Sequence, residues 1–499
     1  MKKTATFFLI LTLFSGFSFA QQNAIFLNSH VLNEPGEVEL HLPTGFFSGT
    51  EVAGYDTTLI PRILNAMNAL YAKDRPFAKH GVGVAISIPG RPQWSGTIGM
   101  NDDTSPMDTS LAFEIASNTK TFVTALIMKL QDEGKISIKD TIGKWLPRKY
   151  PNVDGQITVE QLLNHSSGIF DYINDDPTLF EDFFVHPSTR WTPDKILDTY
   201  VGAPNFKAGT SYRYSNTNFL LLGIIAERAG GEKLGTQLHT NFIDPLKLTH
   251  TFFGGVDSVT IPIAHNWTPY DTSSPEIDYV DLDKTALLSG SWSVGNIIST
   301  PGDLVQWVNQ LYTGRVVSKS ALKQMMTVHK WPDNSYYGLG TQLAPYYTKS
   351  FYGHSGSLVG FKSAMFTNPA DSVSVVAYMN SDAVYKDVTT NDYLVAILNE
   401  IYRVVKTEVS QAVTSEVSVS VYPNPASEYA SFYFRTDKEG DVKLSLFDEL
   451  GRQVKNLVNE PLAPGNHSAS CTLKDLHTGT YLYRLQNGTE IATGKLVVN

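Results

Sequence analysis

A chain of 499 residues is too long to fold around one hydrophobic core, so two or three domains are expected. Hydrophobic residues make up 42% and charged residues 18%, a globular balance that excludes a disordered chain or one built of membrane spans. The net charge of -10 argues against a nucleic-acid partner, and the single cysteine, Cys471, excludes an intrachain disulfide. The 12 histidines are scattered, with no HExxH and no Cys/His cluster, so no metal is expected.

At the start of the chain Lys2 and Lys3 precede an apolar run, Phe7 to Phe14, and the small residues Ser18 and Ala20 follow. That order reads as an export signal over residues 1–20, against the alternative of a buried helix or strand. No cysteine follows it, so no lipid anchor is indicated. No later stretch reaches about 18 uninterrupted apolar residues, and the exported protein is expected to be soluble. Residues 21–54 read as an N-terminal extension, and residues 55–408 as an α/β domain.

Within that domain Ile63 to Leu70 has helical spacing and Val82 to Ile88 reads as a strand. Thr119 to Glu133 carries Phe122, Val123, Leu126, Ile127 and Leu130, a broad apolar surface that belongs in a domain centre, and Gly134 is its stop. Phe219 to Ala229 is a second apolar helix. Ser372 to Tyr378 reads as a buried strand, paired through the turn Asn368 to Asp371 with Gly360 to Phe366. A helical middle, roughly 125–280, thus interrupts a sheet assembled from both ends of the region. After a linker at 409–417 the pattern changes to short strands, among them Val417 to Tyr422, Ala430 to Phe434 and Val442 to Leu446. Turn residues such as Pro423-Asn-Pro425 and Pro464-Gly465 punctuate them, so residues 418–499 read as a small all-β sandwich.

The chemistry centres on Ser117-Asn-Thr-Lys120. Residues three apart share a helix face, so hydroxyl and ammonium can meet, and a helix N-terminus offers amide donors to a developing oxyanion. A partly desolvated lysine sheds its proton more readily and can activate the serine. The spacing alone also fits an N-cap serine followed by a solvent-facing lysine. A second such tetrapeptide, Ser320-Ala-Leu-Lys323, reads as a surface helix cap.

Three motifs in order resemble the serine β-lactamase and D-alanyl-D-alanine carboxypeptidase superfamily, closest to its class C and carboxypeptidase-esterase branch, over roughly residues 55–405. These are Ser117 to Lys120, Tyr214-Ser-Asn216 and His354-Ser-Gly356. Flanking similarity lies at Leu162 to Gly168, Gly295 to Thr300 and Tyr337 to Gly340. The resemblance implies an antiparallel sheet flanked by helices, with a helical subdomain. It implies Ser117 as nucleophile of an acyl-enzyme, with Lys120 and Tyr214 sharing the proton work. It assigns substrate contact to Asn216, which would hold a carbonyl, and to His354, Ser355, Gly356 and Ser357. The amide of Ser357 would join that of Ser117 in an oxyanion hole, and Gly356 would let the substrate approach the strand closely.

The sequence departs from the lactamase pattern at His354, where lysine would give a permanent cation; a histidine is mostly neutral at neutral pH. That favours peptidase or esterase work over β-lactam hydrolysis. His165, in the Leu162 to Gly168 stretch, is structural in the resembled family, and no GxSxG occurs. Trp267, Tyr270 and Trp292 are either core or cleft aromatics, and Cys471 reads as a small buried hydrophobe.

The last eighty or so residues resemble the sorting domain of type IX secretion, through Val421-Tyr-Pro-Asn-Pro425, Gly479 to Tyr483 and Gly494 to Val498. An ordinary carbohydrate-binding or spacer sandwich is the alternative. The resemblances together imply an exported serine hydrolase, secreted or held at the cell surface of a Gram-negative bacterium. Its substrate would be a D-amino-acid peptide or a small ester, with β-lactamase or a catalytically silent binding module as alternatives. The expected partners are a small-molecule or peptide substrate and the outer-membrane secretion machinery, with no cofactor; the oligomeric state is open.

Overall fold

The computed structural model describes residues 58–74, 80–269, 276–331, 335–346, 349–381, 388–410, 419–422, 424, 426–436, 438–448, 451–488 and 490–498. The expected signal (1–20) and extension (21–54) lie outside the described residues, as do residues 411–417 of the expected linker. The chain divides into two compact units, Met1–Glu400 and Ile401–Asn499.

The larger unit is built on one antiparallel sheet. Its elements run α1 (Leu59–Asp74), β1 (Gly81–Ser87), β2 (Trp94–Gly99), α2 (Thr119–Asp132), α3 (Asn216–Gly230), α4 (Thr285–Gly295) and α5 (Pro301–Tyr312). Strands β3 (His329–Lys330), β4 (Tyr336–Tyr337), β5 (Gln342–Tyr346), β6 (Lys349–Leu358), β7 (Phe361–Asn368) and β8 (Val373–Met379) follow, then α6 (Thr390–Ser410). The order across the sheet is β2-β1-β8-β7-β6-β5-β4-β3. Ala377 of β8 pairs with Val84 of β1 on one side and with Ala364 of β7 on the other, so the sheet is closed from both ends of the unit. Strands β7 and β8 are buried along their whole length, and β1 along all but its last residue, with Lys362, Ser363, Thr367, Asn368 and Ser374 buried among their apolar side chains. Helix α5 packs across β1, β7 and β8, and begins at Thr300, whose hydroxyl accepts the amide of Asp303. Helix α6 continues to Ser410, past the expected start of the linker.

Helix α2 is the central column. Every residue from Thr119 to Met128 is buried, because α3 and α4 pack along it and Trp307 of α5 stacks on Phe122 with ring centroids 3.8 Å apart. Each large apolar side chain so buried contributes about 1.5–3 kcal/mol. The helix ends where Gly134 turns left-handed at φ +70°, its amide donating to Gln131 O and that of Lys135 to Leu130 O.

The second unit has a three-stranded sheet, β9 (Val419–Tyr422), β10 (Tyr429–Thr436) and β13 (Gly465–Thr472), in the order β9-β10-β13. Its four-stranded sheet has the order β12-β11-β14-β15, with β11 Gly440–Phe447, β12 Gln453–Leu462, β14 Gly479–Asn487 and β15 Glu490–Val498. Alternate residues Ala430, Phe432 and Phe434 of β10 join Leu444, Leu446, Leu485 and Leu496 in one apolar cluster, the core of a β-sandwich. Cys471 of β13 is partly buried, short of the full burial expected, and burial raises its thiol pKa.

Candidate active site

Ser117 stands on a turn clamped from three sides. The short strand Phe113–Glu114 pairs with Ile297–Ser299, and Ile115 donates its amide to Ile297 O. The chain then makes the single turn Ala116–Asn118 directly before α2, with Ala116 at φ +50°. A left-handed alanine costs on the order of 1 kcal/mol, which the surrounding structure must hold. The Asn118 side chain supplies part of that hold, donating to Ile115 O (3.0 Å) and to Ser363 Oγ of β7 (2.7 Å). Ser117 is partly exposed while the residues beside it are buried. It is not an N-cap: Asn118 occupies that place, without a side-chain cap bond.

Lys120, one turn on, is fully buried rather than solvent-facing. Its Nζ lies 2.9 Å from Ser117 Oγ, 2.8 Å from Asn216 Oδ1 and 3.0 Å from Val294 O. Burial lowers its pKa from 10.5 to about 7, against the opposing pull of the Asp171 carboxylate. An ammonium fills all three contacts with its three protons. A neutral amine has two protons for the two carbonyl oxygens, and its lone pair then faces the serine. The arrangement can therefore accept the Ser117 proton near neutral pH.

Tyr214 joins them. The Lys120 ammonium sits 5.1 Å from the centroid of its ring. Burial pushes its phenol well above 10, and the interaction of its hydroxyl with Ser117 pulls it back only in part. His165 fixes the segment that carries it: the ring lies 4.3 Å from the Tyr214 ring, Nδ1 accepts the Ser215 amide (3.2 Å), and its carbonyl accepts the Arg213 amide. Burial, with the nearby Lys120 and His354, holds the His165 pKa well below 6.5. Fully buried and neutral, it is a scaffold for Tyr214.

Asn216, expected to hold substrate, is bonded within the protein on both ends of its amide. Its Oδ1 takes Lys120, and its Nδ2 donates to both oxygens of Asp171, at 3.0 and 3.2 Å. His354 is bonded within the protein too. It is 1% exposed; Nδ1 donates to Ser355 O (2.6 Å), and Nε2 accepts the Tyr337 hydroxyl (2.9 Å). Burial lowers its pKa to about 3, so it is neutral and presents no cation. The missing side chain of Gly356 faces the nucleophile turn: a Cβ there would fall 2.3 Å from Ile115 O and 3.1 Å from Ala116 Cβ. Beyond Gly353, whose partner on β5 is Gln342, the outer edge of β6 is left unpaired by that strand. Ser355 donates its amide off this edge to Gln342 Oε1 (2.9 Å), and the alternation of a strand sends the Ser357 amide off the same edge.

Other readings resolve separately. Ser320 is not the cap of its helix, Lys319–Met326; Ser318 is, accepting the Ala321 amide. Trp267 is buried with Nε1 donating to Asn101 O, Trp292 lies against Gly223 of α3, and Tyr270 lies outside the described residues. Asp171, Val294 and Tyr337 are site neighbours that motif reading missed. Asp171 and Tyr337 lay in segments already noted as family-like or beside them, but a backbone carbonyl such as that of Val294 leaves no trace in residue type.

Residues 72–400 match the protein family described as Beta-lactamase, and residues 420–499 match the Secretion system C-terminal sorting domain. "Protein flp" of Staphylococcus aureus (strain COL) is 27% identical over 291 residues, 55% of this chain and 53% of that protein. The chain spans about half the length of the curated relatives it matches. A D-stereospecific amidohydrolase from Streptomyces sp. is 30% identical with a TM-score of 0.58, over 64% of this chain and 94% of that one. The D-amino acid amidase from Ochrobactrum anthropi SV3, complexed with L-phenylalanine amide, is 25% identical with a TM-score of 0.59, over 69% and 99%. The chain belongs to the beta-lactamase family, and its sorting domain marks it for type IX secretion to the cell surface or beyond.

Proposed function

We propose that this member of the beta-lactamase family hydrolyses amide or ester bonds of D-amino-acid derivatives, through an ester of Ser117. The observation that carries the reading is the meeting of the Ser117 hydroxyl, the buried Lys120 amine and the Tyr214 phenol at a partly exposed serine. Ser117 Oγ attacks the carbonyl carbon while its proton moves to Lys120 Nζ. The amide N–H groups of Ser117 and Ser357 receive the oxyanion, each such donor contributing about a hundredfold or more in rate. The C–N or C–O bond then breaks as Tyr214 gives its proton to the leaving atom and is reprotonated from Lys120. Water hydrolyses the ester by the reverse proton path, releasing the acid and restoring Ser117.

The neutral, fully engaged His354 supports substrates whose leaving group carries no carboxylate, which favours amides and esters over β-lactams. Likeness to a D-stereospecific amidohydrolase and a D-amino acid amidase supports the D configuration. The outer-membrane secretion machinery is the second proposed partner, through residues 420–499. Initial rates on matched D- and L-aminoacyl amides, p-nitrophenyl esters and a penicillin test the reading. Turnover of D-amides or esters with little on L-amides supports it; turnover of the penicillin alone overturns it.

A further inference from the structure

Asp171 lies outside the motifs of the proposed site and touches neither Ser117 nor Lys120 by a hydrogen bond in the structure. It is 1% exposed, and its carboxylate meets donors only: the Ile173 amide at Oδ1 (3.0 Å), the Asn174 side chain at Oδ2, and Asn216 Nδ2 at both oxygens. Between the carboxylate and the lysine, the Asn216 amide has one satisfied orientation. Nδ2 must face the anion, and Oδ1 then faces Lys120 Nζ at 2.8 Å. The flipped amide would set oxygen against carboxylate and N–H against N–H. With Oδ1 and Val294 O holding two lysine protons, the remaining direction at Nζ is toward Ser117 Oγ, 2.9 Å away.

We infer that Asp171 is a positioning residue that acts through Asn216, fixing the amide so that the Lys120 lone pair is aimed at Ser117. The inference rests on the proposed acyl-enzyme reading. The charged and titratable groups around Asp171 are Lys120, across Asn216; Asp175, which accepts the Asp171 amide (3.1 Å) and pairs with Arg213; and the phenols of Tyr172 and Tyr214. Burial and the Asp175 charge raise the Asp171 carboxyl, while its three donors lower it. As an anion it holds the Lys120 pKa up, so its loss favours the free amine.

The test uses the full chain and its variants Asp171→Asn and Asp171→Glu. Asp171→Asn can turn either end of its amide to Asn216 and carries no charge. A fall in kcat of about 10–100-fold at little-changed KM is expected, with the acid limb of the pH profile moved to lower pH. Asp171→Glu keeps the anion but displaces it by about one methylene, so kcat falls while the acid limb stays in place. Unchanged kcat and limb in a folded Asp171→Asn overturn the inference, as they would if the group were protonated. If Asp171→Asn does not fold, an unchanged kcat in Asp171→Glu does so. Fluorophosphonate labelling separates this failure from that of the acyl-enzyme reading: labelling of the unsubstituted chain but not of Ser117→Ala leaves that reading standing, and no labelling removes it.

Discussion

Gly356 and Ile115 are in contact too close for any side chain, with a Cβ on the glycine falling 2.3 Å from the Ile115 carbonyl oxygen. Strand β6 and the nucleophile turn are thereby locked at one spacing, on which the proposed oxyanion hole of the Ser117 and Ser357 amides depends. Gly356→Ala must push the turn away. The expected result is a loss of about 1–3 kcal/mol of stability with a fall in kcat, read by thermal unfolding and steady-state rates. Stability and kcat equal to those of the unsubstituted chain would show that the turn can move freely.

The Lys120 pKa of about 7 fixes the sign of the pH dependence. Below it the amine is protonated and cannot take the serine proton, so kcat/KM rises with pH through about 7 and levels off. Tyr214 stays protonated well above 10 and His354 neutral down to about 3, so neither bends the profile in between. For stability, the unfolded lysine binds its proton up to 10.5 and the folded one only to about 7, so this group's contribution grows as pH rises between those values. A rate profile flat from about pH 5 to 9 would contradict the assignment.

Lys120→Arg keeps a cation but removes the base, because a guanidinium does not deprotonate in a protein. A loss of about 10²–10⁴-fold in kcat/KM is expected, with no recovery at higher pH. Recovery at pH 8–9 comparable to the unsubstituted chain would exclude Lys120 as the proton acceptor.

Tyr214→Phe removes the phenol while leaving a ring to pack on His165. The expected effect is on kcat, about 10²-fold, with KM nearly unchanged, since the lost proton transfer belongs to the transition state. A variant that loses KM instead would make Tyr214 a binding group.

Much of this was legible in the sequence, for physical reasons. Helix α2 announced itself through the broad apolar surface of Phe122, Val123, Leu126, Ile127 and Leu130, and Gly134 marked its end because only glycine enters the left-handed region without cost. The strand pair Phe361–Asn368 and Val373–Met379 was readable from the valine-rich run Val373 to Met379 and the tight turn Asn368 to Asp371. What residue type could not give was direction. Gly356 faces Ile115, Asn216 faces Lys120 and Asp171, and His354 faces Tyr337, and none of these partners was named from the sequence. Those orientations depend on strand parity and on partners distant in the chain.

The most direct test of the central claim is mass spectrometry of the intact protein and its peptides after brief incubation with a fluorophosphonate or a D-aminoacyl ester. The account predicts one adduct, on Ser117, absent from Ser117→Ala, whose hydrolysis falls by at least about 10³-fold while its unfolding temperature is unchanged. An adduct on another residue, or undiminished turnover by Ser117→Ala, would contradict it.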